Sequence, residues 1–278
     1  MSSKKTSAFV IHYTPLIDRK TYLERHLLSN FELIWVTEKE INLNKYKYTL
    51  ESNVFGVSRK LIGLDQGINS RSLVESRRKA RIQGYIYFLL SFIKPISIKY
   101  PNLTTGSLNK VLKLERSALE VQAMHFHALE LGVESGDSWI LILEDDAFLN
   151  TDVKSAQTII EQIKSDYKPN KTWIDLNLGA GLTRTKTDKK IDRNNLFKVR
   201  PPTTRCAVAY LISRDLAIEI LSLLKVHGVP AWLYIDNLYQ VAIRRLKARS
   251  YWQTPEIFVQ GSENGSYSSN FENLRQNG

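Results

Sequence analysis

The chain is poor in sulfur. Its single cysteine, Cys206, excludes an intrachain disulfide and any cysteine-based zinc or iron–sulfur site. A reducing compartment is therefore allowed. Long hydrophobic runs are also missing. Nothing approaches the roughly 20 apolar residues of a membrane-spanning helix. The nearest stretch, Tyr85 to Ile98, is broken by Lys94 and Pro95. The basic start, Met1 to Ser7, leads into only Ala8 to Ile11, too short for a signal-peptide core. The sequence thus reads as cytoplasmic. Internal repeats and low-complexity tracts are absent.

Acidic residues are the scarce charge. Twenty-eight Asp and Glu face 39 Lys and Arg, a net charge of +11 over 278 residues. Such a balance suits an anionic partner: nucleic acid, an anionic membrane surface or a phosphorylated small molecule. Apolar residues make up 43% and charged residues 24%, ordinary values for a globular chain. At roughly 100–200 residues per domain, one large or two small domains fit.

Strand and helix patterns alternate. Ala8–Tyr13 predicts a strand, Asp18–Leu28 a helix and Phe31–Val36 a second strand, a βαβ signature. Carboxyl ends of such strands open on a ligand crevice, which places His12, Tyr13, Thr37 and Glu38 near a candidate site. Leu108–Leu131 predicts a long helix ending near Gly132, with His125 on its apolar stripe and His127 facing water. Trp139–Leu143 is continuously apolar, as expected of a central strand covered on both faces. A helix over Val153–Ile163 and strands over Trp173–Leu178, Ala207–Ile212 and Glu256–Val259 follow. Helices over Asp215–Leu224 and Ile235–Leu246 complete an α/β class. From Ser76 to Gln83 a basic run precedes the aromatic stretch Tyr85–Ile93. Residues 76–98 could lie on an anionic membrane, or form a basic turn before a buried helix.

Chemistry concentrates at Glu144-Asp145-Asp146, which closes the central strand. Adjacent carboxylates repel, and a buried strand end holds them only with a cation or access to water. Oxygen-only ligands suit Mg²⁺ or Mn²⁺, with the remaining positions left to substrate phosphates. An acidic turn capping the next helix explains the same residues.

Further pieces join this triplet. Phe9–Tyr13 with Asp18-Arg19, the helix carrying Ser117 to His125, and Ile142–Ala147 resemble family 25 glycosyltransferases. So do Thr204–Ser213 and Pro255–Ser262 with Tyr267-Ser268-Ser269. That family includes lipooligosaccharide and collagen galactosyltransferases. The similarity spans about residues 8–40 and 105–270; residues 57–101 match nothing in it and read as a helical insertion into one domain spanning 1–278. The resemblance implies a GT-A-like, mixed and mostly parallel sheet flanked by helices. It implies transfer of galactose or another hexose from a nucleotide diphosphate sugar, often UDP-galactose, to a glycan or lipid-linked acceptor, with Mn²⁺ or Mg²⁺.

The residues carry parts of that expectation themselves. Glu144, Asp145 and Asp146 are the candidate metal ligands, Asp145 and Asp146 also serving the donor and the chemistry. Arg19 could hold a diphosphate as a bidentate donor, or pair on the helix surface. Thr37 and Glu38 could bond a ribose or base, or serve a turn. Asp236 could deprotonate an acceptor hydroxyl, or cap its helix. Asp175 is costly if buried, so it faces a cleft or pairs with Arg205. His125 is a functional candidate or a satisfied core residue. The resemblance adds His12 and Arg205 to the donor side; Gln260, Gly261 and Ser262 could line its phosphate end, Gly261 allowing close backbone approach, or form a β-turn. Tyr251 and Trp252 could offer a flat face to a sugar, or fill the core. A nucleic-acid-binding role is the rival from charge alone, disfavoured by the absence of recognition motifs. A glycosyltransferase-like scaffold without activity is a third reading.

Overall fold

A computed structural model describes residues 5–49, 53–54, 57–58, 116–177, 189–191, 195–199, 207–230 and 233–261. Arg205, Ser262, most of the 57–101 segment and the whole of 76–98 lie outside these.

The chain opens with β1 (Thr6–His12), α1 (Ile17–Leu27) and β2 (Phe31–Thr37), the expected βαβ unit, with β1 and β2 paired in parallel. Three two-residue strands follow: β3 (Tyr48–Thr49), β4 (Asn53–Val54) and β5 (Val57–Ser58). Helix α2 is described from Arg116 to Glu134 and leads to β6 (Trp139–Glu144) and β7 (Ala147–Leu149). Next come α3 (Val153–Asp166), β8 (Thr172–Asp175), β9 (Lys189–Ile191), β10 (Leu196–Lys198) and β11 (Ala209–Ser213). The described chain closes with α4 (Arg214–His227), β12 (Val229–Pro230), α5 (Ile235–Arg245), β13 (Arg249–Gln253) and β14 (Phe258–Gln260).

The main sheet runs β2-β1-β6-β11-β8-β13-β10-β9. It is mixed: β11 and β10 run against the other six strands, which share one direction. Strand β6 lies inside it, between β1 and β11, with Ile140, Leu141, Ile142 and Leu143 all buried. Alternation explains the unbroken apolar run. Ile140 and Ile142 join the core under α2, α4 and α5, with Met124, Phe126, Ile220 and Leu238. Leu141 and Leu143 join the core under α1 and α3, with Leu23, Leu27, Ile160 and Ile163. The result is helices on both faces of one sheet.

Several local expectations change. Helix α2 ends at Glu134, two residues past Gly132. Gly132 is there for space: a Cβ would lie 2.4 Å from Cγ2 of Ile140, so the helix packs directly on β6. The turn that follows uses Gly136, at φ 79°. Tyr251 and Trp252 lie on β13, 6% and 5% exposed, and are core rather than a platform for a sugar. Strand β13 itself was not expected; it pairs in parallel with β8, away from any sequence neighbour. No helix among the described residues is long and apolar enough to cross a membrane.

Candidate active site

Parallel pairing sets Ile11 of β1 opposite Glu144 of β6, and His12 opposite Thr37 of β2. Three strand ends therefore share one edge. The same period-two alternation that sorts β6 into two cores carries on into its acidic end. Glu144 follows Ile140 and Ile142 toward α2, whereas Asp145 turns toward α1. The three carboxylates leave in different directions and meet different partners.

Asp145 is a structural anchor. Its Oδ1 accepts from Nη1 of Arg19 at 2.8 Å. Its Oδ2 lies 3.0 Å from Nδ1 of His12 and accepts from the Tyr13 backbone N–H at 3.1 Å. All three side chains are buried. Arg19 is thus not on the helix surface: in the first turn of α1, it clamps that helix to the end of β6. His12 does the same from β1.

Glu144 faces the other layer. Its Oε1 lies 3.1 Å from Nε2 of His125, which projects from α2 with no exposed surface. The Glu144 side chain keeps 23% of its surface exposed. Its Oε2 meets no hydrogen-bonding group among the described residues. Lost hydration, and then the neighbouring Asp145 charge, push the Glu144 carboxyl up to about 7, against a smaller pull from Arg19. Burial pushes His125 down to about 4, so the ring is neutral. His125 is a satisfied core residue and also a contact of the acidic site. On the same helix His127 is half-buried beside Glu130.

Asp146 is buried, and burial followed by the Glu144 charge raises its carboxyl to about 7. Its Oδ2 accepts from Nε2 of Gln260 at 3.3 Å, and its backbone carbonyl accepts from the Gly261 N–H at 2.8 Å. The small antiparallel pair β7–β14 brings these residues together, with Gln260 opposite Ala147. Two segments more than a hundred positions apart, both singled out from the sequence, meet here.

Asp236 corrects the capping expectation. Helix α5 begins at Ile235, and the residue at its N-cap is Tyr234. The Asp236 carboxylate instead accepts from the Ala207 backbone N–H at 3.0 Å, tying α5 to the approach of β11. Burial and then the charge of Glu144 push it up to about 7. Asp236, Glu144 and His125 therefore influence one another across the α2–α5 side of the site.

Thr37 and Glu38 serve turns. Glu38 accepts from the Thr14 backbone N–H at 2.9 Å and from the Thr14 hydroxyl, joining the loop after β1 to the end of β2. These bonds hold its carboxyl below its usual range although burial opposes them. The Thr37 N–H donates to Glu40 at 3.1 Å. Asp175 is buried at the end of β8 and accepts from Nε1 of Trp173 at 2.7 Å. Arg205, its expected partner, lies outside the described residues.

Sequence reasoning missed two residues. The Tyr210 hydroxyl on β11 lies 3.0 Å from Nδ1 of His125 and 3.2 Å from the hydroxyl of Tyr239 on α5. The available signal was a tyrosine inside an otherwise apolar strand, since a buried phenol needs a partner.

The donor set can be weighed against a hard divalent cation. Among the described residues, no group of three or more His, Cys, Asp or Glu side chains is arranged to hold a metal. Asp145 does not fit, because both its oxygens already serve cationic or N–H donors. Glu144 and Asp146 fit: they are oxygen donors whose charge is poorly hydrated, which a cation would relieve. A carboxylate pair with substrate phosphates and water is an ordinary seat for Mg²⁺ or Mn²⁺.

No protein-family model and no curated protein matches this chain.

Proposed function

We propose that the protein is a GT-A-like, metal-dependent glycosyltransferase resembling family 25. It would move a hexose, such as galactose, from a nucleotide diphosphate sugar to a glycan or lipid-linked glycan. One observation carries this reading. Four distant segments, at residues 12–19, 125, 236 and 260–261, converge on the acid cluster at residues 144–146.

The roles divide by environment. Glu144 and Asp146 would hold Mn²⁺ or Mg²⁺. That cation, when bound, supplies Lewis-acid stabilisation of the departing diphosphate. Asp236 has a carboxyl raised to about 7, near a working pH, as suits a base that accepts a proton from an acceptor hydroxyl. His125 holds Glu144. Asp145, Arg19 and His12 form the rigid floor on which the ligands stand, so the donor side rests on Gln260 and Gly261 rather than on Arg19. The net charge of +11 favours an anionic donor and anionic acceptors.

A hydrolysis screen over several nucleotide sugars, with and without Mn²⁺, tests the reading. Cation-dependent release of the nucleotide diphosphate is the expected result. UDP should also raise the melting temperature more with Mn²⁺ than with EDTA, as a ligand of the native state does. No turnover together with no shift across UDP, GDP and CMP would sink it.

A further inference from the structure

The groups behind Glu144 form a continuous chain: Tyr239 Oη, Tyr210 Oη, His125 Nδ1, His125 Nε2 and Glu144 Oε1. Successive separations across the hydrogen bonds are 3.2, 3.0 and 3.1 Å. Tyr210, Tyr239 and His125 are all fully buried, so bulk water does not stand in for any of them.

The proton inventory of this chain is limited. A neutral imidazole carries one N–H, and each phenol carries one O–H. For Glu144 to hold a cation it must be ionised, and an ionised carboxylate only accepts. His125 must then carry its proton on Nε2 and donate it to Glu144. Its Nδ1 is bare and needs a donor. Tyr210 is the group within reach, so its O–H points at Nδ1, and its oxygen accepts from Tyr239. With Glu144 ionised, only one direction satisfies every atom, Tyr239 to Tyr210 to His125 to Glu144; with Glu144 protonated the chain runs the other way, Tyr210 donating to Tyr239. Were Tyr210 to donate to Tyr239 instead, Nδ1 would carry the proton and a bare Nε2 would face the carboxylate.

We infer that Tyr210 is a positioning residue for the acidic site. Its hydroxyl locks the His125 tautomer and ring so that Nε2–H holds Oε1 of Glu144 and leaves Oε2 for a ligand. The inference rests on Glu144 acting as a cation ligand in the proposed function. The ring of Tyr210 has a separate structural task, since it stacks on Trp173 at 4.1 Å between centroids and 16° between planes. Tyr210→Phe keeps that stacking and removes the hydroxyl alone.

The experiment uses the full chain and Mg²⁺ alone as the probe. Ring-nitrogen NMR of His125 above pH 8 reads the tautomer, and titration reads Mg²⁺ affinity. The wild type should show Nε2–H with a bare Nδ1. Tyr210→Phe should lose that preference and weaken Mg²⁺ binding by about 10–100-fold, the usual cost of removing the support behind a metal ligand. Tyr239→Phe, which leaves the Tyr210 donor in place, should keep the tautomer and weaken Mg²⁺ binding by less than about 10-fold, below that range. An unchanged tautomer and affinity in Tyr210→Phe overturns the inference. So does a wild-type ring protonated on Nδ1, a result that needs no variant to fold. Absence of any cation-dependent UDP response in the wild type counts against the proposed function instead, while the tautomer result stands by itself.

Discussion

Nη1 of Arg19 and Oδ1 of Asp145 lie 2.8 Å apart, and both side chains are buried. The pair joins the first turn of α1 to the end of β6, beside His12 on the same carboxylate. Removing one partner strands the other charge. Arg19→Ala should therefore lower stability by about 3–5 kcal/mol. Urea unfolding at pH 7 measures this, and a change under about 1 kcal/mol would contradict the clamp. The double variant Arg19→Met with Asp145→Leu should lose less than the single one, because no lone charge stays buried.

The stability of the fold should fall as pH rises through neutrality. Glu144, Asp146 and Asp236 have folded-state carboxyls raised to about 7 from ordinary values near 4. The folded chain thus binds these protons more tightly than the unfolded chain. Their contribution is fully present below pH 4 and is lost as pH rises through about 7. His125 acts oppositely: its value falls from 6.5 to about 4, so its contribution is present above 6.5 and lost toward 4. Between pH 6.5 and 8 the carboxyls dominate. The melting temperature should decline across that window, and Glu144→Gln should flatten the decline. A rising wild-type profile there would refute the assignment.

How much of this was written in the primary structure depends on whether a residue's partner lies along the chain or across the fold. The continuous run in β6 announced its central place because only a strand covered on both faces tolerates it. The acidic end was equally plain. Its division was not: the alternation that hides Ile142 and Leu143 on opposite faces also sends Glu144 and Asp145 to opposite layers, and only a known register reveals it. Arg19 reads as a diphosphate ligand or a surface ion pair, and its buried partner Asp145 is supplied only when β6 arrives beside β1. Gly132 reads as a helix stop until Ile140 is seen against it. Asp236 reads as a base or a cap, since nothing local hints at the Ala207 N–H it accepts from.

Gly132 offers a separate test of the α2–β6 contact. In an open helix Gly→Ala would stabilise by about 1 kcal/mol. Here the new methyl would overlap three atoms of Ile140, at 2.4, 2.8 and 2.9 Å. Gly132→Ala should therefore destabilise by about 1–3 kcal/mol, as overpacked cores do. Ile140→Ala empties that space. Its cost should be smaller in the Gly132→Ala background than in the wild type, and a double-mutant cycle reads the difference. Additive costs would show that α2 does not rest on β6 at this point.

Asp146 separates stability from function most sharply. Its side chain is 5% exposed by residue, and ionising it works against burial and against the charge of Glu144. The amide of Asp146→Asn removes that charge and keeps the shape, and its oxygen can still accept from Gln260. Above pH 7.5 the variant should melt at or above the wild-type temperature. A ligand seat should be missing, however, so Mn²⁺ should no longer enhance stabilisation by UDP, and cation-dependent hydrolysis of the nucleotide sugar should fall by at least about 100-fold, the scale of losing one electrostatic stabiliser of the transition state. Such a trade is expected where a site keeps groups that the fold alone would discard. If Asp146→Asn melts well below the wild type at pH 8, the negative charge itself supports the fold. If it retains full turnover and its cation response, Asp146 is not a ligand and the cation is not seated between it and Glu144.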